Sequence, residues 1–364
     1  MDTTCSDLEH KRHHGGLLRR AALDYGIRLE DWLDLSTGIN PNGWPVPEVP
    51  PQVWTRLPEN EDGLLTAAVA YYQTSSLLAV AGSQAVIQCV PFLRQHSRVL
   101  LLTPSYAEHA RAWRVRGHTV KECMPSQVDA FLSSSDVLII VNPNNPSAHR
   151  FDVSTLLAWH RQLAQKGGWL IIDEAYIDCQ PNQSLLPYCP REGLIVLRSL
   201  GKFFGLAGLR LGFVAAENDL LEQIADFLGP WAVNGPARWV AQQALGDKQW
   251  QQDTRQRLIK DSLRLQQLLR QNHLTPSAGC ELFQWVQHEQ AARLFSDFAE
   301  HGILTRLFLQ PASLRFGLPG NEQGWEKLEI ALLEISKRNS VTKACHIRRN
   351  SRVAIDLAQE GASS

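Results

Sequence analysis

Trp169-Leu170-Ile171-Ile172-Asp173-Glu174-Ala175-Tyr176 is a short apolar run that stops abruptly on two acids. A run of that length, free of internal polarity, reads as a strand covered on both faces. The same texture recurs on either side of it, at 77–80, 98–102, 137–141, 194–197 and 212–215. Between these runs, 83–94, 106–114 and 153–165 carry apolar residues at helical spacing. Turn chemistry separates them: Thr103-Pro104-Ser105, Asn142 to Pro146, and Gly167-Gly168. Strand, helix, strand at this rhythm predicts an α/β domain whose sheet is mostly parallel and flanked by helices.

Beyond Gln249 the texture changes. A long helix at 250–272, a strand at 281–286, a helix at 289–300, strands at 303–306 and 313–317, and a helix at 322–337 predict a smaller α+β domain. The expected organisation is a large domain at 41–249 and a small one at 250–338. Residues 1–40 pack with the small domain or cover the cleft. Residues 339–364 form a tail: from Lys337 to Val353 there are six Lys or Arg and no acid, which reads as a solvated basic segment.

The chain's 364 residues suit two domains at roughly 150 residues each. Lys and Arg total 36 against 37 Asp and Glu, a formal net charge of −1. No overall field draws in nucleic acid or an anionic membrane, so any anion is held by a local site. Cys5, Cys89, Cys123, Cys179, Cys189, Cys280 and Cys345 form no CxxC spacing, and their number is odd. They read as reduced thiols of a cytoplasmic protein. The first 14 residues contain no apolar core, so no secretory signal is expected. The uncharged stretch from Thr74 to Leu93 has the length of a membrane span. Gly82, Ser83, Gln84, Gln88 and Pro91 break it into a strand and a buried helix instead.

Several chemistries are excluded. Gly201-Lys202 lacks the upstream glycine of a Walker A loop, no GxGxxG follows the first strand, and no Gx-Ser-xG elbow occurs. His10, His13 and His14 lack a matching carboxylate or thiolate set, so no metal site is expected. What remains fits pyridoxal phosphate (PLP). That cofactor needs a lysine amine, an acid for the pyridine nitrogen and donors for its phosphate. Lys202, in Ser199-Leu200-Gly201-Lys202-Phe203-Phe204-Gly205, follows a buried strand, although an exposed loop lysine has the same signature. Ser199 and Arg210 flank it with a hydroxyl and a guanidinium fork. Asp173 ends a buried strand, where open α/β sheets bind ligands, or else caps a turn. Asn145 before Pro146 suits the phenolic oxygen, or is a plain turn residue. Gly82-Ser83-Gln84 opens a helix and presents amides and a hydroxyl to phosphate, and Tyr106 suits stacking on the ring.

Taken together, Gly82-Ser83-Gln84, Tyr106, Asn145-Pro146, Asp173-Glu174-Ala175-Tyr176, Ser199-Leu200-Gly201-Lys202 and Arg210 resemble the fold type I PLP enzymes, the aspartate aminotransferase-like family. The resemblance spans about residues 14 to 338 and is nearest the histidinol-phosphate aminotransferase branch. Within that branch the chain is most similar to the threonine-phosphate decarboxylases of cobalamin biosynthesis. His14-Gly15-Gly16, Leu35-Ser36-Thr37-Gly38-Ile39-Asn40-Pro41 and Arg56-Leu57-Pro58-Glu59 carry this narrower likeness. The resemblance implies that Lys202 carries the cofactor and Asp173 pairs with its ring nitrogen. Asn145 and Tyr176 reach the phenolic oxygen, and Tyr106 stacks on the ring. Gly82, Ser83, Gln84, Ser199 and Arg210 form the phosphate side. Arg315 looks like the family's arginine for the substrate carboxylate; Arg306, near it on a neighbouring strand, is expected to divide the substrate's two anions with it. Gly38, His14 and Gly15 line the substrate pocket. It also implies a homodimer and a small phosphorylated amino acid as substrate.

Two departures stand out. Asn145-Pro146 is followed by Ser147-Ala148 where the family usually has Thr-Gly, and Leu57 stands where many relatives carry a tyrosine. The reaction expected is loss of CO2 from L-threonine O-3-phosphate. The alternatives are an aminotransferase of the histidinol-phosphate type, which would form glutamate from 2-oxoglutarate, and a non-catalytic binding or complex subunit, which would not need Lys202.

Overall fold

The computed structural model of the protein describes residues 15–338. All six apolar runs are strands of one seven-stranded sheet: β1 Leu77–Val80, β2 Arg98–Leu102, β3 Thr119–Cys123, β4 Val137–Val141, β5 Trp169–Asp173, β6 Leu194–Ser199 and β7 Gly212–Ala215. Their order across the sheet is β1-β7-β6-β5-β4-β2-β3. Neighbours are parallel except where β7 is involved, which runs antiparallel to both β1 and β6. The sheet is mostly parallel and flanked by helices, as the rhythm of runs predicts. Every residue of β4 is buried, which is why its sequence is a continuous apolar run rather than an alternation.

The strand that the apolar pattern does not announce is β3. It lies at the sheet edge, pairs on one side only, and exposes Thr119, Lys121 and Glu122. A charged edge strand is protected against further pairing and carries no apolar run to be read. The helix expected over 83–94 is Ser83–Cys89, continued by a tighter 3-10 turn, Val90–Phe92, that contains Pro91. Val153–Ala164 begins where Asp152 accepts a 2.8 Å hydrogen bond from the Thr155 amide. One face of the sheet presents Ile139, Ile171, Ile195 and Leu197 to Ile87, Trp113 and Ile224 of the helices. Each such buried aliphatic side chain contributes about 1.5–3 kcal/mol.

The chain divides into two compact units. The described part of the larger is 38–263 and 277–285, and that of the smaller is 15–37, 264–276 and 286–338. The long helix is Lys248–Gln271. In the larger unit, residues 278–285 form a tight antiparallel turn with Phe283 opposite Cys280. In the smaller unit, Leu33–Asp34 runs parallel to Ile303–Leu304. The strand expected at 303–306 is two strands, Ile303–Leu304 and Arg306–Leu309, interrupted at Thr305. Arg306–Leu309 makes a hairpin with Ala312–Gly317. Helices Leu18–Tyr25, Ala291–Glu300 and 322–338 complete this unit.

The basic tail, Cys5, Cys345 and His14 with its neighbouring histidines lie outside the described residues. Among the described residues, no helix is long and apolar enough to cross a membrane. Cys89, Cys123, Cys179, Cys189 and Cys280 are buried free thiols.

Candidate active site

The register brings three chain segments into one corner. Val80, the last residue of β1, and Ser199, the last of β6, both pair with Gly212, the first of β7. A Cβ on Gly212 would lie 2.8 Å from the Ser83 nitrogen, so only glycine allows this approach. Arg210 adopts a left-handed backbone, φ 54°, at a cost of order 1 kcal/mol for a non-glycine residue. That turn aims its guanidinium at Gly82, where an added Cβ would lie 3.0 Å from Nη2. Gly82 itself has φ 76°. Ser199 Oγ accepts a 3.2 Å bond from the Gly201 amide. Amide, hydroxyl and guanidinium therefore share one corner at the strand ends, a donor set suited to phosphate.

Asp173 ends β5 in register with Val141 of β4 and Leu197 of β6. Its carboxylate is buried. Oδ1 accepts the Ala175 amide at 3.1 Å, and Oδ2 accepts from His109 Nε2 at 3.0 Å. His109 is buried on helix Ala107–Val115, three residues after Tyr106, and the two rings meet edge to face with centroids 6.1 Å apart. The Tyr106 hydroxyl donates to Gln84 Oε1 at 3.0 Å, and Gln84 Nε2 donates to Glu108 at 3.3 Å. Gln84 is thus held at both ends and orients Tyr106. Burial, with nearby Glu108, pushes the Tyr106 phenol above its ordinary range, so it stays a neutral donor.

The 142–146 turn is tied to this wall by its backbone and by Asn144. The Asn142 amide donates to the Asp173 carbonyl at 2.9 Å. Asn144 donates to the Pro104 carbonyl and accepts from Ser105, each at 2.8 Å. Asn145 follows, half-buried.

Lys202 lies just past β6, half-buried, with Nζ 5.4 Å from the Tyr176 ring centroid. The loop around it is braced by Asn40, whose amide donates to the Lys202 carbonyl at 3.0 Å and whose side chain donates to the Phe203 carbonyl at 2.9 Å. Tyr176 is buried and meets Phe283 edge to face at 5.2 Å. Gly38 sits against it: a Cβ there would lie 2.9 Å from both Cε1 and Oη of Tyr176 and 3.0 Å from Phe283.

In the smaller unit, Arg306 and Arg315 are directly opposite each other across the hairpin. Like charges so placed repel, and a shared anion relieves them. Burial and then Arg315 lower the Arg306 guanidinium to about 10. Arg315 is buried and donates to the Ser36 carbonyl at 2.7 Å. Ser36 also holds the glycine pair: its Oγ accepts the Gly16 amide at 2.7 Å, and a Cβ on Gly15 would lie 2.4 Å from its carbonyl oxygen. Gly15, Ser36, Arg306 and Arg315 are therefore grouped in this unit. Gly38, Gly82, Ser83, Gln84, Tyr106, Asn145, Asp173, Tyr176, Ser199, Lys202 and Arg210 belong to the larger one.

Sequence reasoning missed His109 and Asn40 as supports. The available signal for His109 was its position one helical turn after Tyr106. For Asn40 it was only membership of a quoted motif. The donor set of the larger unit fits PLP: a lysine amine, a buried carboxylate held by a histidine, and a phosphate corner whose glycine leaves space for the guanidinium.

The chain matches the family described as aminotransferase class I and II over residues 32–328. It is 54% identical over 320 residues to a threonine-phosphate decarboxylase of Pseudomonas aeruginosa, covering 88% of this chain and 97% of the relative. It is 41% identical over 329 residues to a threonine-phosphate decarboxylase of Sinorhizobium, again covering 88% and 97%. Among solved structures, the histidinol-phosphate aminotransferase of Sinorhizobium meliloti in complex with pyridoxal 5'-phosphate superimposes with a TM-score of 0.74 at 18% identity, covering 88% of this chain and 94% of that one.

Proposed function

Because this chain belongs to the class I and II aminotransferase family, whose members are PLP-dependent, we propose that it decarboxylates L-threonine O-3-phosphate to (R)-1-amino-2-propanol O-2-phosphate and CO2 in cobalamin biosynthesis. The observation that carries this reading is the 54% identity, along nearly its whole length, to a protein named for that decarboxylation. PLP, when bound, supplies an electron sink for the bond broken at the substrate Cα.

The chain's own residues supply the rest. Lys202 would hold the cofactor through its amine, and its ammonium form would supply the proton that Cα takes in place of the lost CO2. Asp173, held by His109, keeps a proton on the ring nitrogen. Asn145 and Tyr176 would reach the phenolic oxygen, and Tyr106, set by Gln84, would stack on the ring. Gly82, Ser83, Ser199 and Arg210 hold the cofactor phosphate. Arg306 and Arg315 take the substrate's carboxylate and phosphate, so their division of the two anions selects which bond at Cα breaks. Gly15 belongs with Arg306 and Arg315 in the smaller unit, and Gly38 with the cofactor residues in the larger one.

The protein works as a cytoplasmic homodimer. The buried free thiols support the compartment. Trp54 and Leu57, large apolar side chains 67% and 63% exposed, support a partner surface. The test is to supply L-threonine O-3-phosphate to the yellow PLP-loaded protein. Stoichiometric CO2 without a 2-oxo acid is expected. Accumulation of pyridoxamine phosphate and a 2-oxo acid would overturn decarboxylation in favour of transamination.

A further inference from the structure

We propose that Arg198 is a positioning residue for this site: a buried ionic cluster centred on its guanidinium fixes the Tyr176 segment relative to the Lys202 segment. This rests on the reading of Lys202 and Tyr176 as cofactor residues.

Strand alternation places the cluster. Asp173 and Ser199 share the sheet face of Ile171 and Leu197, so their neighbours Glu174 and Arg198 turn to the reverse face. The ladder continues there, with the Glu174 amide donating to the Leu197 carbonyl at 2.9 Å. Arg198, Glu174 and Asp178 are almost entirely buried, at 2%, 0% and 0% exposure. Arg198 Nη1 donates to Glu174 Oε2 at 3.2 Å, and Nη2 donates to Asp178 Oδ1. One guanidinium therefore bridges two acids four residues apart in sequence, and Tyr176 lies between them.

The other arm of the cluster reaches the lysine. The Tyr71 hydroxyl donates to Asp178 Oδ1 at 2.8 Å, and its ring meets Phe204 edge to face at 5.7 Å. Arg255 Nε donates to the Asp178 carbonyl at 2.8 Å, and its guanidinium lies 5.3 Å from the Phe203 ring centroid. Phe203 and Phe204 directly follow Lys202, and both are fully buried.

Two cations and two anions balance here. Desolvating such a group is costly, and apolar residues of equal volume would stabilise the fold at least as well. What the ionic arrangement supplies is geometry. A planar fork bound at both nitrogens sets the Glu174–Asp178 spacing in a way that a point charge or a methyl group does not.

The test uses the full chain and reads PLP affinity of the apoprotein, by absorbance titration, beside turnover. Arg198→Lys keeps the charge but loses the fork. Tyr71→Phe deletes one hydroxyl, with its bond to Asp178 and the 3.3 Å bond it accepts from Arg255, and leaves the Arg198 pairs with Glu174 and Asp178 in place. Both variants should bind PLP more weakly. For Arg198→Lys the loss is at least about tenfold, with kcat falling more than KM rises, as expected when reacting groups are misplaced by a fraction of an ångström. Tyr71→Phe should move the same quantities in the same direction by a smaller factor, and it decides the matter if Arg198→Lys does not fold. PLP affinity and kcat within about twofold of the parent, in a folded Arg198→Lys or in Tyr71→Phe, would overturn the positioning role. A parent that binds no PLP overturns the proposed function and this role together. A parent that binds PLP and releases CO2 beside unchanged variants overturns this role alone.

Discussion

Gly38→Ala isolates the placement of Tyr176 from its chemistry. The added methyl would lie 2.9 Å from Tyr176 Cε1 and Oη and 3.0 Å from Phe283 Cδ1, against ordinary contact starting at 3.4 Å. The tyrosine ring must therefore retreat by at least about 0.5 Å, the difference between 3.4 and 2.9. Phe283 cannot yield on its behalf, because its own ring is pressed by the same methyl and meets Tyr176 edge-on at 5.2 Å. Overpacking of this kind costs about 1–3 kcal/mol of stability. Misplacing a group beside the reacting amine by about 0.5–1 Å lowers kcat by roughly 10- to 100-fold. The assay is CO2 release from L-threonine O-3-phosphate, with thermal unfolding of the PLP-loaded protein measured in parallel. Gly246→Ala is the matched control, since a methyl there meets nothing within 4 Å. If Gly38→Ala is folded and turns over within about twofold of the parent, the close approach of Gly38 does not set Tyr176 and the reasoning fails.

Lys202→Ala should abolish trapping of the cofactor by borohydride and lower turnover by at least about 100-fold, the scale of a lost general acid–base group; unchanged trapping would place the covalent link elsewhere. His109→Leu leaves the buried Asp173 carboxylate without the hydrogen bond from His109 Nε2. It should weaken PLP binding by about 10- to 100-fold, read by equilibrium titration of the apoprotein. Arg315→Ala should reduce kcat/KM far more than Lys121→Ala on the exposed edge strand, and equal effects would remove Arg315 from the substrate site. The Arg98 side chain, hydrogen-bonded to Asp136, holds that carboxylate near 2, below its ordinary 3.8. A depressed carboxylate stabilises the fold above its unfolded value and loses that contribution as pH falls towards 2. Arg98→Ala should therefore lower the melting temperature at pH 7 and not at pH 2, as scanned by calorimetry.

How much was legible follows from how local each feature is. Strands β4, β5 and β6 are buried on both faces, so their identity is written as unbroken apolar runs, and their ends are marked by Asn142, Asp173 and Ser199. The edge strand β3 escaped because its exposed charges erase that run. The turn around Asn145 was visible in its prolines, but its ties to Pro104 and Ser105 run through Asn144 and cross 40 and 39 residues of sequence. His109 escaped because a histidine on a helix is silent until the neighbouring strand supplies an acid.

By itself the sequence determined which residue types stand at strand ends, because periodicity and the place where it stops are properties of a few consecutive residues; the resemblance of those motifs to a known family then implied the PLP chemistry. Only the tertiary structure decided what those ends face. Pairing order is non-local, and it alone brings Val80 and Ser199 to Gly212, turns Arg210 onto Gly82, joins His109 to Asp173, and sets Arg306 opposite Arg315. The same non-local pairing puts Glu174 against Arg198 on the reverse face, where alternation sends the neighbours of Asp173 and Ser199.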